Sequence, residues 1–234
     1  MRMTGWIRGG LTAGLLVAAA LPACREQAPP AATASSPLAA ALKGMSPQAQ
    51  IDTLRSIAIA NPNDAQVAFL AGNAFYARGS ELGSAEQPRV QAYLDSATVA
   101  YRHAVIVDST LSKAWVNLGL VLQDLNRRPQ AQQAFEKAIA VNPGDVLAYC
   151  HLGYLHQSIG NVEEGIVQYR RALAIDPNSA QAHYNLGLAF ADAKIFAEAL
   201  REWETVVRLD PDGDLGITAA ENVKIIRQYL DAKP

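Results

Sequence analysis

Histidine and cysteine, whose side chains often serve in catalysis and metal binding, are scarce in this chain: 234 residues include four histidines and two cysteines. His151 and His156 are five residues apart, a spacing that puts them on divergent faces of one helix. No Gly-x-Ser-x-Gly elbow, Walker loop or His-Glu-x-x-His pair occurs. The sequence therefore predicts no catalytic residue, no metal and no cofactor, and we interpret His156 and His183 as packed side chains.

The cysteine with the clearest chemistry is Cys24. Before it lie two arginines, an apolar run over residues 11–21 and the small residue Ala23, a pattern typical of a secretory signal peptide. The apolar run is too short to span a bilayer comfortably. An ordinary cleaved signal with an incidental cysteine is the alternative. If Cys24 is modified, Cys150 is a lone thiol, which we interpret as a small buried residue rather than an intermolecular disulfide.

Because this segment ends at Cys24, it resembles the signal of bacterial lipoproteins. The resemblance implies that residues 1–23 are removed and that Cys24 carries diacylglyceryl and N-acyl chains, since stable anchoring needs more than one chain. Arg25 stands where an aspartate would imply retention at the inner membrane. The expected location is therefore the cell envelope, at the outer membrane and facing the periplasm.

A unit of 34 residues is repeated three times over residues 112–213, and such a period decides the architecture. In each unit a large residue, a Leu-Gly pair, a small residue, an aromatic residue and a proline recur at fixed places. The second half of the unit carries apolar residues at helical spacing. The recurring positions are Trp115/Tyr149/His183, Leu118/Leu152/Leu186, Gly119/Gly153/Gly187, Ala131/Gly165/Ala199, Phe135/Tyr169/Trp203 and Pro143/Pro177/Pro211.

These spaced positions resemble the tetratricopeptide repeat, a helix-turn-helix module that stacks into a solenoid. The fold class implied is all-α, a right-handed alpha-solenoid with a C-terminal capping helix. The small glycines lie where two helices must approach closely, and each Asn-Pro or Asp-Pro pair ends a helix.

The chain divides accordingly into a signal peptide, a tether rich in Ala, Pro and Ser, and a solenoid. An insertion of 13 residues near residues 79–91 lengthens the first repeat, either as a loop or as an extension of its helices. The predicted bounds are 1–23 for the signal, 24–45 for the tether, 46–63 for an N-terminal helix, 64–111 for the repeat with the insertion, 112–145, 146–179 and 180–213 for the regular repeats, and 214–234 for the cap.

The resemblance also implies a binding groove, lined in this family by the first helix of each repeat. The residues there are aliphatic and aromatic, with amides that can pair with a peptide backbone, which suits an apolar helix or an extended peptide. The alternative is that they pack within the protein itself. The predicted groove residues are Phe69, Asn73, Val116, Asn117, Leu120, Gln123, Cys150, His151, Tyr154, Gln157, Tyr184, Asn185 and Leu188.

Charge excludes two kinds of partner. The formal net charge is -2 and no basic run of five or more occurs, so nothing favours a nucleic acid. Repeats of this family that hold acidic C-terminal tails use a clamp of lysine, arginine and asparagine. At the matching positions here only the asparagines are present, and without cations a carboxylate has no strong partner.

The hypothesis favoured by these patterns is a lipid-anchored envelope scaffold, not an enzyme, that binds a protein or peptide partner. A narrower alternative is an assembly factor for pilus or secretion machinery, or an adaptor of cell-wall enzymes, suggested only by similarity of layout. An enzyme with an unrecognised site near Glu81 and Glu86 is the least supported alternative. Self-association through the groove or a solenoid edge is a further one.

Overall fold

The computed structural model describes residues 37–82 and 86–232 as helices joined by short turns, and those residues contain no strand. They form two compact units, residues 37–179 and residues 180–232. The first unit contains α1 Pro37–Leu42, α2 Pro47–Ala60, α3 Ala65–Glu81, α4 Gln87–Val107, α5 Ser112–Asp124, α6 Arg128–Val141, α7 Val146–Ser158 and α8 Val162–Ile175. The second contains α9 Ala180–Asp192, α10 Phe196–Leu209 and α11 Asp214–Asp231.

Each repeat is an antiparallel helix hairpin: α3 packs on α4, α5 on α6, α7 on α8 and α9 on α10. The fold class is therefore the predicted one, all-α with tetratricopeptide-type hairpins. The core of each hairpin contains a fully buried aromatic residue of its second helix: Tyr101, Phe135, Tyr169 or Trp203.

The glycine of each first helix lies directly against this aromatic ring. A Cβ added at Gly119 would lie closer than 3.0 Å to three atoms of the Phe135 ring. Gly72, Gly153 and Gly187 face Tyr101, Tyr169 and Trp203 in the same way. The prediction that these glycines permit close helix approach is confirmed.

We expect Gly119→Ala to lower the free energy of unfolding by about 1–3 kcal/mol, because overpacking displaces the Phe135 ring. We expect this loss even though the helix propensity of alanine is about 1 kcal/mol more favourable than that of glycine. Urea denaturation followed by circular dichroism measures the change. Gly144→Ala is the control, since its Cβ would have Asn142 Oδ1 as its nearest neighbour, at 3.5 Å. A Gly119→Ala protein more stable than its parent would contradict the packing argument.

The insertion extends two helices rather than forming a long loop. α3 has 17 residues and α4 has 21, against 13 for α5 and 14 for α6. The added turns pack on each other, since a Cβ at Gly79 would touch Tyr93 at 3.3 Å. Of the two forms considered for the insertion, the helix extension is the correct one.

Within the first two regular hairpins, the turn between helices contains a residue in the left-handed region, Asn126 (φ 56°) and Gly160 (φ 90°). The N–H of the next residue returns to the helix: Arg127 donates to the carbonyl of Leu122 at 2.7 Å, and Asn161 to that of His156 at 2.9 Å. Lys194 (φ 60°) has the same role in the second unit. These turns satisfy helix-terminal carbonyls that would otherwise lack partners.

The ends of the chain differ from the regular repeats. Ser46 caps α2, accepting from the N–H of Ala49 at 3.3 Å. The short helix α1 lies inside the segment predicted as tether, and its Leu42 is buried. In the capping helix α11, Ala219, Val223 and Ile226 are buried, whereas Leu230 is exposed. No helix in the described part is long and apolar enough to cross a membrane.

Candidate functional site

A small cavity of about 100 Å³ lies between α5 and α7 in the first unit. Four of its lining residues are predicted groove residues: Val116, Asn117 and Leu120 from α5 and His151 from α7. They meet because positions 116, 117 and 120 lie on one face of α5 and α7 packs beside it in the stack. Three further lining residues, Lys113, Asp145 and Leu147, were not among the predicted groove residues.

The additional residues give the cavity a charged mouth and an accessible wall. Lys113 is exposed, and Leu147 is half-buried. Asp145 caps α7, its Oδ1 accepting from the N–H of Leu147 at 3.1 Å and of Ala148 at 3.2 Å. Their signal was visible in the sequence, since Asp145 precedes an apolar run as a capping residue does and Lys113 lies one turn before Asn117.

His151 lines the cavity from α7. It is 7% exposed, and its ring stacks on Phe135 with centroids 5.7 Å apart and planes 19° apart. Burial lowers the pKa of His151 to about 4, because the charged imidazolium loses its hydration there. The ring is therefore neutral near pH 7, with one ring nitrogen as a donor and the other as an acceptor.

The amides of α3 and α5 belong to an internal network. Asn73 Oδ1 accepts from the hydroxyl of Tyr101 at 2.7 Å and from Asn117 Nδ2 at 2.9 Å. Two donors on one oxygen fix the orientation of both amides. The Asn73 amino group and the Asn117 carbonyl oxygen then point away from this shared contact, and no protein partner for either occurs in the described residues.

The other predicted groove residues of the first unit do not line this cavity. Phe69 is 3% exposed and packs on the Tyr101 ring with centroids 6.1 Å apart, and Cys150 is 1% exposed. Gln123 is half-buried, and its buried Oε1 has no hydrogen-bond partner within the described residues. Tyr154 and Gln157 are half-buried, and Gln157 Oε1 accepts from the Tyr169 hydroxyl at 3.1 Å.

In the second unit the three predicted groove residues, Tyr184, Asn185 and Leu188, are all buried on α9. Asn185 Oδ1 accepts from Gln181 Nε2 at 3.0 Å. The carbonyl of Tyr184 accepts from the indole of Trp203 at 3.2 Å. These contacts lie within that unit, whereas the cavity between α5 and α7 is where four predicted groove residues converge.

Other chemistry-bearing groups are engaged in pairs. His183 Nδ1 lies 2.6 Å from Glu202 Oε2, which joins α9 to α10. Glu81 pairs with Arg78 at 2.9 Å, and Glu86 pairs with Arg89. In the described part, no group of three or more His, Cys, Asp and Glu is arranged to hold a metal ion. Cys24, predicted to carry lipid, lies outside the described residues.

Comparison with known proteins identifies the repeats. A family model described as "Tetratricopeptide repeat" matches residues 112–145 and 180–212, and one described as "TPR repeat" matches residues 158–193. No curated protein matches the sequence. A protein-interaction module, rather than an enzyme, is what these repeats indicate.

Solved structures show the same fold. MamA residues 41 to the end from Desulfovibrio magneticus RS-1 is 20% identical, with a TM-score of 0.60, covering 88% of this chain and 98% of that one. A crystal structure of MamA is 22% identical, with a TM-score of 0.59, covering 69% of this chain and 86% of the other. At this identity the likeness concerns the fold.

Proposed function

Because this chain is a tetratricopeptide-repeat protein, we propose that it is a cell-envelope scaffold that binds a segment of a partner protein at the cavity between α5 and α7. The lipid on Cys24 that the sequence predicts would hold it at the outer membrane, facing the periplasm. The observation that carries the proposal is the convergence of Val116, Asn117, Leu120 and His151 on one cavity.

The size of the cavity indicates what enters it. Small-molecule sites occupy roughly 300–1,000 Å³, so about 100 Å³ is too small for a cofactor. One aliphatic side chain of a peptide fits this volume. The walls formed by Val116, Leu120 and Leu147 would contact that side chain, and so would the ring of His151.

The amide network indicates the conformation of the bound segment. The Asn73 amino group can donate to a peptide carbonyl, and the Asn117 carbonyl can accept from a peptide N–H. A helical ligand has already paired most of these groups within itself. An extended segment has not, so we favour an extended peptide with an aliphatic side chain over an apolar helix.

The test is cross-linking in the native cell with a photoreactive residue at position 147, on the cavity wall. We expect a specific adduct to another protein at this position and none at position 170, which is exposed on α8. Adducts at both positions, or at neither, would contradict binding at the cavity. An adduct to a second copy of this chain would identify self-association instead.

Leu147→Glu should abolish that adduct or weaken partner binding at least tenfold, because a carboxylate beside the cavity must lose its hydration when an aliphatic side chain enters. Co-purification with the partner identified by cross-linking measures the loss. Val141→Glu is the control, since Val141 is an apolar residue of α6 that is 37% exposed and lies outside the cavity. Equal loss in both variants would contradict the assignment.

A further inference from the structure

Two helices of the first unit carry the same exposed pair of residues at the same place. In α2 the pair is Arg55 and Ile59, and in α4 it is Arg102 and Ile106. Each isoleucine lies two residues before the cap that ends its helix, Asn61 or Asp108, and each is 79% exposed. At the corresponding places α6 has Glu136 and Ala140 instead.

The exposed side of α4 is apolar and basic over its last three turns. Val99, Arg102, His103 and Ile106 follow the spacing i, i+3, i+4, i+7 and are all exposed, Val99 at 69%. A surface helix of a globular protein turns such an apolar stripe toward the core. Here the stripe is left outside, although Ala97, Tyr101 and Ala104 already supply a core side.

The surface between the two helices is also apolar. A cavity of about 400 Å³ is lined mostly by apolar residues, among them Ala58 of α2, Ala68, Ala71 and Phe75 of α3, and Val99 and Ala100 of α4. It exists because Ala68 and Ala71 stand where α5 has Trp115 and Leu118. We call Arg55, Ile59, Val99, Arg102, His103 and Ile106 the basic–apolar face.

The charged groups at this face are its two arginines and, at the cavity, Asp64, whose carboxylate accepts from the N–H groups of Gln66 and Val67. Neither Arg55 nor Arg102 makes an ion pair in the part of the chain that the structure describes. The acidic residues of the same helices have other contacts: Asp52 accepts from Gln48 at 3.2 Å and Asp95 pairs with Arg127. A binding partner that offers both negative charge and an apolar region would complement the arginines and the isoleucines of this face.

The position of the face along the chain favours one such occupant. Thirty-six residues precede Pro37, where the described part begins, and Cys24 is thirteen residues before it. At about 3.4 Å per extended residue, that segment reaches at most about 45 Å. A membrane that held Cys24 would therefore lie within reach of α2 and α4, and aliphatic side chains beside arginines are what bind the interface of an anionic bilayer.

We propose that the basic–apolar face rests on an anionic lipid surface, with Ile59, Val99 and Ile106 in the interface and Arg55 and Arg102 against the headgroups. The inference rests on the proposed function only in that the chain is held at a membrane. Docking in this way would hold the protein in one orientation on the membrane.

An environment-sensitive fluorophore tests the contact. Ile106→Cys and Ala140→Cys place the label at corresponding sites of α4 and α6, both exposed. The full chain is reconstituted on vesicles containing phosphatidylglycerol, and the parent chain labelled in parallel gives the background from Cys24 and Cys150. We expect a blue shift at position 106 and quenching by brominated lipids at least threefold stronger than at position 140.

Equal fluorescence at both positions on vesicles that carry the protein would overturn the inference. It would not contradict lipid anchoring at Cys24, because flotation of the parent chain with vesicles tests the anchor separately. A shift at position 106 that occurs without vesicles would also overturn it, since a protein surface would then cover the face. Arg55→Glu with Arg102→Glu should reduce the quenching at position 106 at least twofold, and no reduction would contradict the role of charge.

Discussion

Replacing Trp203 with alanine should lower the free energy of unfolding by about 3–5 kcal/mol, the range found when a large aromatic residue is removed from a core. Trp203 is fully buried in the second unit. Its ring packs against Gly187 of α9, and its centroid lies 6.5 Å from the centroid of the Tyr184 ring. The unit has three helices, so no neighbouring hairpin of its own can fill the space. Urea denaturation followed by circular dichroism measures the loss.

Trp115→Ala is the matched control, because Trp115 stands at the large position of a first helix and is only half-buried. Its indole donates to the carbonyl of Ser109 at 3.0 Å, at the exposed edge of the first unit. We expect a loss of about 1–2 kcal/mol, since less apolar area returns to water. If Trp203→Ala cost no more than Trp115→Ala, the assignment of Trp203 as the centre of the second unit's core would be wrong.

Lowering the pH from about 7 to about 4 should destabilise the protein by about 3 kcal/mol through His151 alone, at about 1.4 kcal/mol per unit of pKa difference. The pKa of His151 is about 4 in the folded chain, against 6.5 as the ordinary value. Between these values the unfolded chain binds the proton and the folded chain does not. Stability is therefore complete above pH 6.5, falls as the pH drops toward 4, and does not fall further below that through this group.

His151→Asn should remove this part of the pH dependence. Asparagine stands at the corresponding place of the neighbouring repeats, at positions 117 and 185, so the fold accepts it there. Chemical denaturation of the two proteins at several pH values gives the difference, and the other three histidines cancel in the comparison. Parallel stability curves for parent and variant would show that His151 accepts a proton in the folded state as readily as in the unfolded chain.

The groove was only partly predictable from sequence. Residue spacing places Val116, Asn117 and Leu120 on one face of α5, and they do line the cavity. The same reasoning placed Phe69, Cys150 and Tyr184 in a groove row, yet none of them lines this cavity. Spacing identifies the face of a helix, but the exposure of a residue depends on the size of side chains contributed by other helices.

The sequence also did not predict which turn residues adopt the left-handed backbone conformation. A left-handed residue after a helix is usually glycine, which Gly160 illustrates. Asn126 and Lys194 have the same backbone conformation without a glycine. Each lies in a short turn in which the N–H of the next residue donates back to the first helix, Arg127 to Leu122 and Ile195 to Phe190.

The sequence by itself determined the helix hairpins. The 34-residue period marks each hairpin, and the apolar residues that recur every 3.6 positions form its helices. The contact between a glycine and an aromatic ring also lies within one repeat. Only the tertiary structure decided what those hairpins present to a partner. The α5–α7 cavity, the Asn73–Tyr101–Asn117 network and the exposed face of α2 and α4 each arise between different repeats. Their physical cause is complementarity of side chains distant in sequence, such as the two alanines of α3 that leave a space where α5 has tryptophan and leucine.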